Sequence, residues 1–199
     1  MGQYSPFDEL RQEHVQVLGD MKTLSATVGG LGARTKVSWT EASATLRDQL
    51  EIVRRGLKLH FRREEEGLFP FAQQAVSEGA KGADILGSFF AEEAEDDIGA
   101  HGVLNARTHE MLSLLSVMQQ AEKPDGQSLA HLRTLVSLAS GLLERHAAKE
   151  DRLVFPMIQR SLSPQQVEGV SARLQQFQSG ADLTGEADAD LKGLGMDEV

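Results

Sequence analysis

The chain of 199 residues contains no cysteine. Disulfide bonds, thiolate metal ligands and thiol redox chemistry are therefore excluded, and any bound metal must be held by nitrogen and oxygen donors. Proline and aromatic residues are also scarce, with five prolines and 5% aromatic residues. The remaining composition is rich in alanine, leucine, glutamate, glutamine and arginine, which favours helices over sheets.

The sequence has no apolar run long enough to span a membrane, and its N-terminal residues lack the basic and apolar pattern of a secretory signal. We therefore expect a cytoplasmic protein that does not enter the membrane. The formal net charge of −10 argues against nucleic-acid binding. Residues 180–199 carry six acidic residues, one lysine and no aromatic residue, which predicts a disordered acidic tail.

Apolar residues recur at helical spacing in four long segments, which begin near Ser5, Ser38, Asp84 and Ser128. Pro70 should kink the second helix or mark its last turns. Short connections between long amphipathic helices predict an all-α fold, an antiparallel up-down-up-down four-helix bundle over residues 1–162. Residues 163–179 begin with Ser-Pro-Gln-Gln, a helix start signal, and predict a short C-terminal helix before the acidic tail of residues 180–199.

One segment of the sequence occurs twice. Residues 60–71 read HFRREEEGLFPF and residues 146–157 read HAAKEDRLVFPM. Each copy has a histidine followed at +4 by glutamate, at +5 by a second acid, and at +9 and +10 by Phe-Pro. A further histidine lies upstream of each copy at nearly the same distance, His14 by 46 residues and His101 by 45. The chain therefore consists of two similar halves.

The histidines and the first glutamate of each copy fall on the apolar stripes of their helices. His60, for example, follows Val53 by seven residues, and Glu64 follows Leu57 by seven. In an antiparallel bundle these residues lie within a few turns of one level. We therefore expect six polar side chains to converge in the core, namely His14, His60, Glu64, His101, His146 and Glu150.

Six polar groups at one level of an apolar core need a compensating partner, because a buried carboxylate without one is strongly disfavoured. Two divalent or trivalent cations would satisfy all six groups. Imidazole and carboxylate donors suit iron, manganese or zinc. A single His-x-x-x-Glu pair is ordinary on a helix surface, but its duplication with a matched upstream histidine favours a metal site.

These motifs resemble those of the hemerythrin-like family, also called HHE cation-binding domains. The resemblance covers residues from about 5 to 160 and is carried by Glu13-His14, by both copies of the repeat and by His101. It implies a four-helix bundle around a non-haem di-iron centre that is open to dioxygen, nitric oxide or peroxide. It also implies that Glu64 and Glu150 bridge two irons, in preference to manganese or zinc, and that the four histidines complete the ligand set.

The chain departs from the oxygen-carrying hemerythrins on its third helix. Those proteins have a His-x-x-x-His pair there, whereas His101 is followed at +4 by Asn105. Asp97, one turn before His101, is the first candidate for an additional oxygen ligand, and Asn105 is a candidate to hydrogen-bond a bound ligand or water. Glu65 and Asp151 are weaker candidates for ligands or for outer support, and we favour their interpretation as solvated charges.

Three functions fit this pattern. The first is a binding protein that takes up dioxygen or a similar ligand for storage, delivery or sensing, and it is the one we favour. The second is an enzyme that decomposes peroxide or nitric oxide at the same centre. The third is a metal-stabilised regulatory or interaction module. More oxygen and less nitrogen ligation favours the ferric state, which weakens the case for a reversible carrier.

The other histidines, His109 and His131, do not share the level of the predicted centre and are predicted to lie at or near the surface. We interpret the arginines of the second helix as its solvated face, namely Arg54, Arg55, Arg62 and Arg63.

Overall fold

The computed structural model describes residues 5–31, 37–92 and 94–177, apart from the side chains of residues 91–98. Every regular element within these ranges is helical, which confirms the predicted all-α class. None of the helices in this part of the chain is long and apolar enough to cross a membrane. The predicted acidic tail, residues 180–199, lies outside the described residues.

The α-helices of the described residues are α1 (Pro6–Gly30), α2 (Trp39–Arg63), α3 (Phe69–Ser77), α4 (Ala83–Glu92), α5 (Ala94–Met118), α6 (Gly126–Lys149), α7 (Phe155–Ser161) and α8 (Pro164–Gln176). Two π-helical segments, which we name the first π turn (Glu64–Leu68) and the second π turn (Glu150–Val154), join α2 to α3 and α6 to α7. The third predicted segment corresponds to α4 and α5, which lie on either side of residue 93.

Local side-chain caps determine where several helices begin. The Ser38 hydroxyl accepts the N–H of Glu41 at 3.2 Å, and the Glu41 carboxylate accepts the N–H of Ser38 at 3.1 Å. Ser163 caps α8 in the same reciprocal way, as its sequence predicts. The cap of α6 is Asp125, which accepts the N–H of Ser128 at 2.9 Å, so α6 begins two residues before the predicted start.

The four long helices contact one another in a cycle. α1 packs against α2 and α6, and α5 packs against the same two helices. Their contact faces are the predicted apolar stripes, and on α2 the stripe is fully buried. A second apolar cluster is built from α3, α4, α7, α8 and the π turns. On α1, His14 lies between Leu10, which belongs to this second cluster, and Val17, which belongs to the cluster formed by the four long helices. The layer of buried polar side chains that includes His14 therefore separates the two apolar clusters.

Both copies of the repeat adopt the same irregular backbone. The N–H of Phe69 bonds to the carbonyl of Glu64, and the N–H of Phe155 bonds to the carbonyl of Glu150, five residues back in each case. A proline follows each of these phenylalanines, and its ring would clash with the carbonyl four residues before it in a regular α-helix. The wider turn accommodates the proline, so the helical path continues past Pro70 to the end of α3.

The buried stripe of α6 continues into the second π turn. The apolar spacing of the fourth segment predicts that Leu153 faces inward, but Leu153 is 50% exposed and Val154 is buried. Val154 follows the buried Leu143 by eleven residues and the buried Ala147 by seven, which are spacings of one helix face. The prediction for Leu153 was wrong because the buried face runs through Leu143 and Ala147.

α8 covers the first π turn. A Cβ atom added to Gly67 would lie 2.5 Å from Leu174, so glycine permits this close approach. Arg173 donates a hydrogen bond of 3.3 Å to the carbonyl of Glu66, which is the carbonyl that Pro70 cannot bond. The short C-terminal helix therefore supports the backbone immediately after Glu64.

Candidate metal centre

The structure brings together all six side chains that the sequence predicts to converge. Each is buried, with at most 4% of its surface exposed. α1, α2, α5 and α6 contribute one histidine each, and the glutamates are the first residues of the two π turns. The six are His14, His60, Glu64, His101, His146 and Glu150.

Their donor atoms form two overlapping groups. His14 and His60 form one group with Glu64 and Glu150, and His101 and His146 form the other with the same two glutamates. Within each group the donor atoms lie within 4.8 Å of one another. Each half of the core therefore offers two imidazoles, and both halves share two carboxylates.

Glu64 faces one histidine of each group with a different oxygen. Its Oε1 lies 3.4 Å from Nε2 of His60, and its Oε2 lies 3.4 Å from Nε2 of His101. Each oxygen of this carboxylate is thus directed to a different half of the core. A carboxylate that bridges two cations has its oxygens disposed in this way.

Glu150 connects the other two histidines. Its Oε2 lies 2.9 Å from Nε2 of His14 and 3.2 Å from Nε2 of His146. Nε2 of His146 also lies 3.1 Å from Nε2 of His101. All four imidazoles therefore direct Nε2 toward the centre of the cluster.

These separations are those expected of ligands that share a cation. Two donors at right angles around an ion, each with a bond of about 2.1 Å, lie about 3 Å apart. Among the described residues, Nε2 of His60 and Oε1 of Glu150 have no hydrogen-bond partner. Buried donors and acceptors are rarely left in this state, and a cation in each group would engage both atoms.

Carboxylates hold the outer nitrogens of three histidines. Nδ1 of His14 donates to Asp151 at 2.9 Å, and Nδ1 of His101 donates to Glu65 at 2.7 Å. Neither carboxylate belongs to a donor group, and both are partly exposed. Their contacts orient the rings and leave Nε2 as the atom that a metal would engage, an arrangement common around protein-bound metals. The favoured interpretation of Glu65 and Asp151 as solvated charges was therefore wrong.

The third outer contact was not predicted from the sequence. Nδ1 of His60 donates to Glu13 at 2.9 Å, and Glu13 is in turn paired with Arg63, which also donates to Glu9 at 2.8 Å. Arg63 was interpreted as part of a solvated face, but it is only 4% exposed because it points toward α1. The one clue in the sequence to this contact is that both residues are next to predicted ligands. Glu13 directly precedes His14, and Arg63 directly precedes Glu64.

The pKa values of two histidines respond in opposite directions to this environment. Burial lowers the pKa of His14, but hydrogen bonds and charge from Glu150 and Asp151 outweigh that effect and raise it above its ordinary value. Burial, together with the charges of the other three histidines, holds the pKa of His60 well below its ordinary value. In the metal-free cluster a proton is therefore held more readily by His14 than by His60.

Two phenylalanines form walls against the histidines. Phe61 stacks on His101 with ring centroids 3.9 Å apart, and Phe155 stacks on His14 with centroids 5.6 Å apart. The planes are nearly parallel, at 9° and 4°. Both rings are buried, so they restrict the imidazoles and limit the access of water.

The remaining candidates lie outside the donor groups. Asp97 lies in α5, but its side chain is outside the described residues. Asn105 is partly buried one turn after His101. His109 and His131 are exposed, in agreement with their prediction as surface residues, and His131 is 3.5 Å from Glu110.

No protein-family model matches the chain, and no curated protein matches it.

Proposed function

We propose that this chain is a hemerythrin-like, antiparallel up-down-up-down four-helix bundle whose core holds a non-haem di-iron centre. One observation carries the proposal: Glu64 and Glu150 belong to both donor groups. A single metal ion would use one group and leave the other pair of histidines without a cation. Two ions would share both carboxylates and use all four imidazoles.

The donor set fits iron as well as zinc, and the resemblance to hemerythrin-like domains favours iron. Each ion would receive two imidazoles and a share of two carboxylates, which makes four protein donors. Four donors complete the usual coordination of a structural zinc site. Iron commonly accepts further ligands, so the same donors leave coordination positions for a small molecule. Manganese also fits the donor types and is the less favoured alternative.

The function that this arrangement supports best is the binding of dioxygen or a related small molecule, for storage, delivery or sensing. Bound iron would supply redox chemistry and open coordination positions. The residues of the chain contribute orientation and exclusion of water. Asp151, Glu65 and Glu13 hold the outer nitrogens of three histidines, and the rings of Phe61 and Phe155 border the cluster.

A second candidate is an enzyme that decomposes peroxide or nitric oxide at the same centre. It is favoured by the carboxylates on the outer nitrogens of His14, His60 and His101, because these make the imidazoles more basic. More basic ligands stabilise the ferric state, which suits turnover better than reversible oxygenation. A metal-stabilised interaction module is the remaining alternative.

The first test is the elemental analysis of the full chain purified without chelators, together with its absorption spectrum. We expect about two irons per chain and near-ultraviolet absorption from a ferric pair, as two complete donor groups require. His60→Ala should lose metal and lower the melting temperature, whereas His131→Ala, which alters an exposed histidine, should change neither. Metal content that is unchanged in His60→Ala would sink the assignment.

The second test separates the functions. A binding protein should show a reversible spectral change when dioxygen is added to the reduced protein and then removed. An enzyme should instead consume many equivalents of peroxide or nitric oxide per chain. If metal-depleted protein retains a partner that the metal-loaded protein also binds, the interaction module is favoured.

A further inference from the structure

A groove of about 420 Å³ lies on the outer side of the second π turn. It is bordered by residues of that turn, of α7 and of the loop and first turn of α4. Two of its apolar side chains are conspicuously exposed, Ile85 at 63% and Leu153 at 50%, and Met157 lies beside them. The groove therefore presents apolar surface to an occupant.

The charge of this groove is opposite to that of the protein. Its lining includes Lys81, Arg152 and Arg160 and no acidic residue, although the chain has a net charge of −10. None of these three cations forms an ion pair with another described residue. By contrast, the groove between α1 and α6 contains both Lys22 and Glu144. An occupant that combines acidic and apolar groups would complement the groove at α7.

The C-terminal segment of the chain has this composition. Residues 182–190 read DLTGEADAD, with four acidic residues and no basic residue. Leu183 lies within this run, and Leu191 directly follows it. The segment could thus place carboxylates against the cations and a leucine against Ile85 and Leu153.

The length of the chain permits this contact. α8 begins three residues after Ser161, which borders the groove, and its 13 residues extend about 20 Å. The described residues end at 177. An extended chain covers about 3.3 Å per residue, so about six or seven residues return that distance. The acidic run, which begins at Asp182 and continues to Asp190, is therefore within reach of the groove.

We propose that residues 182–190 bind in the groove formed by the second π turn, α7 and the start of α4. The tethered segment has a high effective concentration, so weak individual ion pairs suffice for binding. The contact places the acidic segment on the π turn whose first residue is Glu150. The proposal does not depend on the identity of any bound metal.

The test is zero-length coupling of lysines to carboxylates in the full chain with a carbodiimide. This reagent takes up water as an amide forms between the two groups, and peptide mass spectrometry identifies the partners. We expect monomeric protein in which Lys81 is joined to residues 182–190 much more often than Lys22 is. Because ion pairing is screened by salt, the yield at Lys81 should fall in about 0.5 M NaCl.

A matched pair of variants tests the role of charge. Arg152→Gln with Arg160→Gln removes two cations from the groove without adding carboxylates, and the yield at Lys81 should fall by about fivefold or more. Arg54→Gln with Arg55→Gln removes two cations from α2 and should leave the yield unchanged. Circular dichroism of both variants confirms that the helices are retained.

Three results would overturn the proposal. Equal coupling at Lys22 and Lys81 would mean that the segment has no preferred contact. Coupling at Lys81 that is confined to covalent dimers would assign the groove to the tail of a second copy. A yield at Lys81 that is the same in the groove variant and in the α2 variant would show that Arg152 and Arg160 do not hold the segment.

Discussion

Replacement of Glu13 by alanine should weaken metal binding although Glu13 is not a predicted ligand. Glu13 accepts the Nδ1 proton of His60 at 2.9 Å, and this contact orients the ring and increases the basicity of Nε2. Loss of such an outer contact typically reduces metal affinity by about 10–100-fold, which is about 1.4–2.7 kcal/mol. We expect the Glu13→Ala variant near the upper end of this range.

The expected loss of metal affinity in Glu13→Ala is large because of the surroundings of Glu13. Its side chain is 21% exposed and is paired with the buried Arg63, so it is held in place. Asp151 makes a contact of equal length to His14 but is 35% exposed. Asp151→Ala should therefore lie near the lower end of the range, because a more exposed contact is better replaced by water.

The assay is competition with a chelator of known affinity, on the full chain loaded with one metal. Glu13→Gln keeps an oxygen acceptor for His60 and should recover most of the affinity. Arg63 is left with Glu9 alone in Glu13→Ala, so the variant combined with Arg63→Met tests whether the loss of one partner of this buried cation is the cause. An affinity of Glu13→Ala within twofold of the unmodified protein would refute the argument that outer carboxylates support the ligands.

Three further predictions concern the fold and the protonation of the site. Gly67→Ala should destabilise the protein by about 1–3 kcal/mol, because its Cβ would lie 2.5 Å from Leu174, whereas Gly19→Ala meets nothing within 4 Å and should stabilise α1 by up to about 1 kcal/mol. Chemical denaturation measures both, and equal effects would contradict the close packing of α8. Ser163→Ala removes the cap of α8 and should lower the melting temperature by about 2–4 °C, corresponding to about 1 kcal/mol, in a thermal scan. Acidification should release metal, because the raised pKa of His14 lets it keep a proton that the metal must displace. Apparent affinity should fall steadily from about pH 8 to pH 5 in chelator competition, and a flat profile would exclude His14 as a ligand.

The six converging side chains were predictable because two independent patterns, the duplicated motif and the helical periodicity, select the same residues. Duplication of the His-x-x-x-Glu motif selects His60, Glu64, His146 and Glu150, and helical periodicity places them on apolar stripes. Periodicity is a property of one helix, so it predicts which face a residue occupies. It also predicted the full burial of the α2 stripe, which the structure confirms.

Contacts that depend on a neighbouring helix were not predictable in this way. Arg63 occupies a position that periodicity alone assigns to solvent, and only the proximity of Glu9 and Glu13 on α1 explains its burial. Leu153 was misplaced for a different reason, since the buried face of α6 runs through Leu143 and Ala147 and continues to Val154. Sequence rules predict that proline disturbs a helix, but they do not specify that the disturbance takes the form of a wider turn.

The opposite pKa shifts of His14 and His60 show why the metal-free cluster is poorly satisfied. A proton on His14 pairs with Glu150 and Asp151, but its charge disfavours a proton on His60. With His60 neutral, its Nε2 lies 3.4 Å from Glu64 without a hydrogen bond. Among the described residues, Nε2 of His60 and Oε1 of Glu150 are left without hydrogen-bond partners in this state. A pair of cations replaces the protons with charges that all six side chains can share, and this supports the two-metal assignment independently of the family resemblance.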